Sequence, residues 1–331
     1  MREIARRAGV SSATVSRVLS GSSGVTPQKA ARVQAVLQEV NYIPNPSATT
    51  LKYGRSNTYG LVIPDICNPF FSEFLAAFEE ALVAAGRELL LTSMQSGEGL
   101  LHAVRRMLMR QVDGAVLMGS EFETEQVEPL LSRSVPIVTI DRHAPHEGCS
   151  DVALDFHAGF RTAVLRLAEL GHKRIGYIGG TPGLRTSNIR AAAFRDAVSD
   201  AGLVYDEHLT RAGDYRISGG EAAAASLLQL KEPPTALLHA NDLTAFGSAL
   251  TIFRRGLRVP DDMSLVGVDD ILLAQVTHPP LTTIRLPRKR LAQTCVEALE
   301  RTKLDKSAVG LQYSVATELV ERESTAAPRR R

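Results

Sequence analysis

Short apolar runs alternate with longer segments of helical periodicity through most of the chain, and this alternation restricts it to few folds. The runs YGLVI, ELLLTS, GAVLMG and PIVTI come first, and RIGYIGG, TALLHA and SLVGV repeat the scheme further along. Runs this short, bounded by turn residues, are typical of buried strands. Strand–helix alternation predicts right-handed βαβ units and parallel sheets. Its repetition after a break near Asp155 predicts two similar lobes.

The first amphipathic segment shows the helical pattern clearly. FFSEFLAAFEEALVAAG follows the run YGLVI, and its apolar residues recur at helical spacing. The predicted buried stripe consists of Phe70, Phe74, Phe78, Ala81 and Ala85.

Composition places the chain among globular proteins. It has 331 residues, 44% hydrophobic and 22% charged, which is enough for more than one core. No apolar run reaches about 18 residues and no apolar segment follows Met1, so neither a membrane span nor a secretory signal is expected. Cys67, Cys149 and Cys295 lie far apart without metal-site spacing, which favours reduced thiols in a cytoplasmic protein.

Charge is divided unevenly along the chain. The net charge is +2, yet residues 1–57 hold eight basic and two acidic residues, a net +6. The remaining residues hold 30 basic and 34 acidic side chains, a net −4. A basic end on an acidic body indicates a polyanion partner for residues 1–57, although a merely solvated basic surface would have the same composition.

The segment REIARRAGVSSATVSRVL predicts two short helices around a tight turn. Ile4, Ala5 and Ala8 form the apolar stripe of the first helix. Gly9 suits the turn because it adopts backbone conformations that other residues disfavour. Ser11 is the expected N-cap of the second helix.

A third helix is predicted at TPQKAARVQAVLQEVNY. Thr26 is its expected N-cap and Pro27 its first residue. Ala30, Val33, Leu37 and Val40 share one face. Three short helices with a glycine in the first turn match the helix-turn-helix plan, in which the second helix enters the major groove of DNA.

The second helix has small polar residues where base edges would lie. Short hydroxyl side chains permit close approach, and the guanidinium of Arg17 can reach a phosphate or the acceptor edge of guanine. A plain three-helix bundle is the alternative. The predicted DNA contacts of this helix are Ser11, Ser12, Ala13, Thr14, Ser16 and Arg17.

The segment YIPNPSATTLKYGRS admits two interpretations. Asn45 can cap a helix of barely two turns over residues 47–52, which would not be stable alone in water. The segment is either a flexible linker or a piece that folds on DNA and inserts Leu51 into the minor groove.

With SNTYGLVIPDICNPFF, these motifs resemble the LacI/GalR family of bacterial transcriptional regulators over nearly the whole chain. The resemblance implies a hinge helix at 45–52 with Leu51 as its lever, and it adds Asn45 and Ala48 to the predicted DNA contacts. Ser12, Ala13 and Arg17 match contacting positions of the family's recognition helix. Family members usually carry a few residues before EIA, including a Thr that caps the first helix. We therefore expect either an upstream start codon or fraying of this helix.

Polar and aromatic residues follow the predicted strands. Open parallel sheets bind ligands beyond the carboxyl ends of their strands, and such side chains suit vicinal hydroxyls and the face of a sugar ring. Asp242 and Asp270 fit helix N-caps equally well, and Phe70 or Phe71 could belong to the core. The candidate ligand-binding residues are Asn68, Phe70, Phe71, Asp141, Arg142, Arg190, Tyr215, Asn241 and Asp269.

This set is similar to that of the ribose-type periplasmic sugar-binding proteins, whose fold the LacI/GalR body shares. The similarity implies that Phe70 and Phe71 stack on the ligand ring. It also implies hydrogen bonds from Asp141, Arg142, Arg190, Asn241 and Asp269 to hydroxyl groups. Where the family often has Gln before Pro in TTIxQP, this chain has Leu286, and the preceding Arg285 predicts a preference for an acidic or phosphorylated sugar. Purine-responsive relatives leave the ligand class open.

Enzyme signatures are absent from the sequence: it contains no GxGxxG after a strand, Walker motif, GxSxG or HExxH. His157, His172 and His239 are scattered, and no metal or cofactor is expected. The alternative to a regulator is a sugar-binding or transport module without a regulatory role. Such a module would carry a signal peptide and lack the basic helix-turn-helix.

The sequence therefore predicts a cytoplasmic, DNA-binding transcriptional regulator, a repressor whose operator affinity is set by a small molecule such as a sugar. The expected fold is an all-α helix-turn-helix headpiece (1–44), a hinge and linker (45–57) and a two-lobed α/β body (58–331) with two parallel sheets. The N-lobe is expected at 58–155 and 286–315, and the C-lobe at 156–284 and 316–331. A homodimer on a near-palindromic operator is expected, its contacts implied by resemblance at residues 71–85 and 98–112.

Overall fold

The structure, a computed structural model, describes residues 1–19, 23–42, 55–94, 99–119, 122–142, 144–304 and 309–329. The chain divides into two compact units, Met1–Ser56 and Asn57–Arg331, and the names headpiece and body refer to these two units from here on. The predicted hinge helix at 45–52, with Asn45, Ala48 and Leu51, lies outside the described residues.

Three helices form the described part of the headpiece: α1 (Arg2–Ala8), α2 (Ser12–Leu19) and α3 (Pro27–Glu39). Gly9 ends α1 with φ of 60°, the left-handed conformation that favours glycine. The buried core consists of Ile4, Ala5, Ala8, Val15, Val33 and Val36.

Both predicted caps of the headpiece stand at the right positions, but only one of them forms its bond. The Ser11 hydroxyl accepts a hydrogen bond from the Thr14 N–H at 3.2 Å, as an N-cap does. Thr26 stands at the N-cap of α3 in extended backbone, yet its hydroxyl accepts no capping bond. Pro27 occupies the first turn as predicted.

The body contains two six-stranded sheets. The first has the order β11-β5-β4-β3-β1-β2 and is parallel throughout. Its strands are β1 (Thr58–Ile63), β2 (Glu88–Ser93), β3 (Gly114–Met118), β4 (Ile137–Ile140), β5 (Cys149–Asp155) and β11 (Gln312–Ala316).

The second sheet has the order β12-β10-β9-β8-β6-β7 and is parallel except for β12, which pairs antiparallel with β10. Its strands are β6 (Ile175–Ile178), β7 (Thr210–Arg211), β8 (Ala236–His239), β9 (Ser264–Asp269), β10 (Thr282–Arg285) and β12 (Glu318–Val320).

Helices cover both faces of each sheet, as βαβ connections require. The body helices in chain order are α4 (Pro69–Ala84), α5 (Gly99–Met109), α6 (Thr124–Leu131), α7 (Phe156–Glu169), α8 (Arg185–Asp200), α9 (Ile217–Leu227), α10 (Asp242–Arg254) and α11 (Arg288–Leu304). Among the described residues, no helix combines the length and hydrophobicity needed to cross a membrane.

The chain passes between the sheets three times. It leaves the first sheet after β5, returns between β10 and α11, and leaves again between β11 and β12. Two of these passages touch: the Thr317 hydroxyl donates to the Asp155 carbonyl oxygen at 2.6 Å and accepts from the Gly159 N–H at 3.1 Å. The close fit at Gly159 leaves no room for a side chain, since a Cβ there would overlap Ile284 and Thr317.

One local prediction for the body was wrong, and the alternative that Asp242 and Asp270 cap helices does not hold. The buried stripe of α4 runs Phe70, Phe74, Phe78 and then Leu82, because strict i+4 spacing continues to 82, while Ala85 lies beyond the helix and is exposed. Asp242 and Asp270 are not caps. The Asn241 side chain caps α10, and Asp242, next in the chain, is buried and accepts bonds from Ile271 N–H and the Thr283 hydroxyl.

The segment that follows β12 is anchored to the second sheet. The buried Ser324 hydroxyl accepts a hydrogen bond from the Thr282 N–H at 2.8 Å and donates to the Leu265 carbonyl oxygen at 2.6 Å. The segment that follows β12 is thus tied to β9 and β10 through its fourth residue.

Candidate functional site

In the headpiece, helix α2 presents its predicted contact residues outward. Ser11, Ser12, Ala13 and Arg17 are exposed, whereas Val15 on the opposite face is fully buried. Thr14 and Ser16 are partly buried at the edges of the exposed face. The small side chains leave the backbone of the first turn close to the surface, as major-groove docking requires.

A cavity of about 320 Å³ opens in the body between the carboxyl ends of the two sheets. The first sheet contributes residues that follow β1, β3 and β4. The second contributes residues that follow β6, β7, β8 and β10, together with the last residue of β9. Parallel strands converge in this way because their carboxyl ends share one edge of a sheet. The volume suits a small molecule.

Two buried carboxyl groups and one guanidinium form the polar floor of the cavity. Asp141 follows β4 and Asp269 ends β9, and both have a left-handed backbone, with φ of 57° and 118°. Backbone strain of this kind concentrates at binding sites, where it aims a side chain. A guanidinium nitrogen of Arg190 lies 3.9 Å from the Asp269 carboxylate.

Burial dominates the protonation of both acids. It raises the pKa of Asp141 to about 7, against the opposing hydrogen bond from the Leu154 N–H at 2.7 Å and the charge of Arg190. It likewise raises the pKa of Asp269 to about 7, against the charges of Arg190 and Arg288. Burial thus disfavours the charged form of both carboxyls, and the hydroxyl groups of a ligand could offer them further hydrogen bonds.

Arg190 is held in place by rings and a carbonyl group. Its guanidinium lies 4.6 Å from the Phe156 ring centroid and 5.5 Å from that of Tyr215, and it donates to the Ala240 carbonyl oxygen. Its Nε–H is buried and has no hydrogen-bond partner within the described part of the chain. An unpaired buried donor is costly, so this nitrogen is a natural position for a ligand oxygen.

Three aromatic side chains line the cavity around this floor. Phe70 and Phe71 stand edge to face, their centroids 5.4 Å apart, at the start of α4. Tyr215 faces them from the other lobe, with a left-handed backbone at φ of 61° and its hydroxyl 3.0 Å from that of Ser187. Apolar ring faces opposite buried carboxyls form a surface suited to a polar ring compound.

Asn68 and Asn241 both cap a helix and line the cavity. The Asn68 side-chain oxygen accepts from the Phe70 N–H at 3.0 Å, and that of Asn241 accepts from the Thr244 N–H at 3.0 Å. The Asn241 amide nitrogen also donates to the Tyr215 carbonyl oxygen at 3.1 Å. The side-chain oxygens of both residues are engaged in capping. These residues would therefore bind a ligand through their amide N–H groups.

Family comparisons place this geometry in a known group. The family described as bacterial regulatory proteins, lacI family, matches residues 1–45, and a periplasmic binding protein-like domain matches residues 164–325. The HTH-type transcriptional repressor PurR of Photobacterium profundum is 32% identical over 327 residues, 98% of either chain. The chain belongs to the LacI family of bacterial regulatory proteins.

Solved structures of LacI-family proteins match this chain over most of its length. The lac repressor dimer bound to operator and the anti-inducer ONPF matches with a TM-score of 0.86 at 28% identity, covering 98% of either chain. A LacI family regulator from Enterococcus faecium with bound ribose matches with a TM-score of 0.73 at 26% identity, covering 82% of this chain and all of that one. The predicted fold class is confirmed, and the chain is a transcriptional regulator of this family, not an enzyme.

Most of the predicted ligand-binding residues of this LacI-family body meet at the cavity, but two do not. Arg142 turns away from Asp141: its guanidinium lies 4.6 Å from the Phe122 ring centroid and bonds the Thr124 hydroxyl at 2.9 Å. Arg285 pairs with Asp270 at 2.6 Å and Glu318 at 2.9 Å. Neighbouring residues of an extended chain point to opposite faces, so Leu286 lines the cavity while Arg285 does not.

Three polar cavity residues besides Asp65 were not among the predicted set: Thr186, Asp214 and Arg216. Thr186 lies one helical turn before Arg190 on α8, and the other two flank Tyr215, so all three were detectable from residues already chosen. Asp65, which follows β1, also lines the cavity and pairs with Arg216 at 3.2 Å across the two lobes.

Two of the scattered histidines, His172 and His239, are hydrogen-bonded through both ring nitrogens. His172 bonds the Thr235 hydroxyl and the Ala326 carbonyl oxygen, and His239 bonds the Ser248 hydroxyl and the Val266 carbonyl oxygen, each at 2.8–2.9 Å. Among the described residues, no group of three or more His, Cys, Asp or Glu side chains is placed to hold a metal ion.

Proposed function

We propose that this LacI-family regulator binds a near-palindromic DNA operator as a homodimer in the cytoplasm, and that a neutral, hydroxyl-rich small molecule in the cavity sets its operator affinity. The observation that carries the proposal is the joining of two features in one chain. A basic helix-turn-helix presents an exposed α2, and a cavity with buried Asp141, Asp269 and Arg190 opens between two parallel sheets.

The charges around the cavity favour a neutral effector over an anionic one. Within the described part of the chain, four aspartates and two arginines line it: Asp65, Asp141, Asp214, Asp269, Arg190 and Arg216. A phosphorylated or acidic sugar would bring a further negative charge to a site with an excess of carboxyl groups. Arg285, from which a preference for such sugars was predicted, is engaged elsewhere by two carboxylates.

A free sugar fits the remaining chemistry well. Its hydroxyls can donate to the two desolvated carboxyls and accept from the Arg190 Nε–H, while Phe70, Phe71 and Tyr215 offer ring faces. The structural relative that binds ribose is consistent with this class. A purine is the other ligand class that the sequence left open, and it belongs in the same test.

Exposed apolar side chains on α4 and α5 support the homodimer. Val83, Leu101 and Met109 are 69%, 49% and 82% exposed. They lie in the two segments, 71–85 and 98–112, in which the dimer contacts are proposed. Exposed apolar surface of this kind is typical of protein interfaces.

A thermal-shift screen of the full chain tests the effector. The panel contains pentoses, hexoses, sugar phosphates, uronic acids and purines. A compound at about 100 times its dissociation constant should stabilise the folded state by roughly 2.7 kcal/mol. A hit among free sugars supports the proposal. Hits confined to sugar phosphates or uronic acids would contradict the electrostatic argument, and hits confined to purines would replace the sugar.

The role proposed for the hinge is tested with Leu51→Ala. Insertion of a leucine between base steps contributes to binding only where the duplex is bent, so specific operator affinity should fall at least about tenfold while non-specific affinity changes little. Fluorescence anisotropy with an operator selected from random duplexes, and with an unrelated duplex, measures both affinities. Equal losses on the two duplexes would rule out the insertion.

A further inference from the structure

Helix α11 reaches from the cavity to the first residue of the body. It begins at Arg288, directly after the passage from β10, and runs beside α4 through the core of the first lobe. Arg288 and Glu300 are twelve residues apart on this helix, which corresponds to about 18 Å. Charged groups at both ends are engaged in partly buried networks.

At the cavity end of α11, Arg288 is hydrogen-bonded to the backbone of Asp269, one of the candidate ligand-binding residues. The Arg288 guanidinium donates to the carbonyl oxygens of Asp269 at 2.7 Å and Asp270 at 2.8 Å. Both aspartates have left-handed backbones, so Arg288 holds the strained segment that aims the Asp269 carboxyl into the cavity. Glu73 of α4 completes the network, pairing with Arg288 at 3.1 Å and accepting from the Leu272 N–H at 2.9 Å.

The other end of α11 holds the residue at which the body begins. Glu300 accepts hydrogen bonds from the buried Tyr59 hydroxyl at 2.5 Å and from Arg87 at 2.9 and 3.1 Å. Arg87 also donates to the Asn57 side-chain oxygen at 2.8 Å. Asn57 directly follows the headpiece unit, which ends at Ser56.

A second ion pair fastens the same place. Lys303 of α11 pairs with Asp113 at 2.9 Å, and the two side chains are only 15% and 7% exposed. The Asp113 carboxylate also accepts from the Asn57 N–H at 3.3 Å, and the Asn57 carbonyl oxygen accepts from the Glu88 N–H at 2.8 Å. Asn57 is thus held on its N–H, its carbonyl and its side chain, and two of these three contacts lead back to α11.

We propose that α11 is the element that couples the cavity to Asn57, the last residue of the hinge and linker segment. Its middle is packed in the core through Leu291, Cys295 and Leu299, all fully buried, so the helix moves as a rigid piece. A ligand that shifts Asp269 also shifts Arg288, and the displacement reaches Glu300 and Lys303 at the far end. The regulatory meaning of this coupling rests on the proposed function, in which cavity occupancy sets DNA affinity.

Hydrogen exchange measured by mass spectrometry on the full chain tests the coupling without effector or DNA. Arg288→Met removes the bonds to Asp269 and Asp270, and Glu73→Gln weakens the same network more gently. Each should raise amide exchange at residues 57–61 and 86–90, at the opposite end of α11, by about fivefold or more. In the reverse direction, Glu300→Gln should raise exchange at residues 270–276.

Lys289→Ala is the matched control. It removes an exposed pair between α11 and α4, Lys289 with Glu80 at 3.2 Å, and should leave all these segments unchanged. Strand β8 (Ala236–His239) is the internal reference in every variant. Should Arg288→Met unfold the body, Glu73→Gln carries the test alone.

Exchange that rises only at the mutated end, in both directions, would overturn the proposal. Exchange that rises at the far end with β8 unchanged supports it. The ligand and DNA experiments test the proposed function separately. If no compound in the panel changes the DNA affinity of the wild-type protein, the proposed function is contradicted, and the hydrogen-exchange result still holds.

Discussion

Asp141 and Asp269 both face the charge of Arg190 from different lobes, and neither is well solvated. A buried carboxyl with few donors is unfavourable for the empty protein and favourable for a ligand that supplies them. Under the proposed function, these residues bind the ligand at the expense of the stability of the empty protein, and the effect is measurable because it depends on pH.

Asp141→Asn should stabilise the empty protein at alkaline pH. The folded pKa of Asp141, about 7, exceeds its usual value of 3.8, so the folded state holds this proton more tightly than the unfolded state does. The stabilisation from the bound proton is complete below about pH 4 and is lost as pH rises through 7. The variant, which does not titrate there, should exceed wild type by up to roughly 4 kcal/mol at pH 8 and gain little at pH 4. Urea unfolding across this range measures the difference.

Asn suits position 141 because it tolerates the left-handed backbone and can keep the bond from the Leu154 N–H. A stability difference that does not change with pH would contradict the assignment. Effector binding should be lost in the same variant, whichever compound the screen identifies.

Arg285→Ala should change stability and leave ligand preference unchanged. Asp270 is 2% exposed and pairs with Arg285 and Arg322, so removal of one partner weakens the compensation of a buried charge. We expect a loss of about 1–3 kcal/mol in the free energy of unfolding. The thermal-shift panel should give the same ranking of ligands as wild type. A changed preference between neutral and acidic sugars would restore Arg285 to the site.

Helices α9 and α10 pack so closely that a side chain at their point of contact would not fit. A Cβ at Gly247 would overlap the Ile217 carbonyl oxygen, and one at Gly220 would overlap that of Thr244. The two helices therefore meet backbone to backbone through these glycines.

The sign of the stability change caused by Gly247→Ala tests this close packing. In an open helix this change would stabilise by about 1 kcal/mol through helix propensity. Here the new methyl meets backbone that cannot move aside cheaply, so a loss of about 1–3 kcal/mol is expected instead. Thermal unfolding of the full chain measures it. A gain in stability would mean that the helices stand further apart.

The strands predicted from the sequence are those dominated by a run of apolar residues. Other strands lack such a run for physical reasons. Strand β5, CSDVALD, lies inside the first sheet, yet its buried Ser150 and Asp151 interrupt the apolar run. Asp151 is tolerated there because Thr139, Gln312 and the Arg142 N–H bond its carboxylate. Such compensation comes from neighbouring strands and cannot be read locally. Strands β7, β11 and β12 are edge strands. Their residues are less buried than those of central strands, so the run of apolar residues that marks a buried strand is weaker.

A residue that directly follows a strand points towards the carboxyl edge of its sheet. To that extent, the residues of the cavity could be predicted from the sequence. Asp141, Asn241 and Asp269 follow or end strands and reach the cavity as expected. Arg142 is one residue further and turns to the other side, an outcome decided by Phe122 and Thr124. The pair of Asp65 with Arg216 joins residues 151 positions apart, so only the fold could reveal it.

A homodimer of this chain requires a DNA site with two halves. A two-fold dimer presents two α2 helices related by symmetry, so selection from random duplexes should enrich near-palindromic sequences. Sedimentation equilibrium should give twice the chain mass of 35.8 kDa. Enrichment of a single, asymmetric half-site by a monomeric species would contradict both expectations.

The three passages between the sheets have a consequence for protein engineering. The headpiece joins the body through one stretch of chain, so a single junction near residue 56 suffices to give this ligand-binding body a relative's DNA preference. Neither lobe can be exchanged in that way, because each sheet is assembled from segments on both sides of the other. A graft of one lobe needs three junctions, at β5–α7, β10–α11 and β11–β12, because a cut at any one of them alone divides at least one sheet between the two pieces.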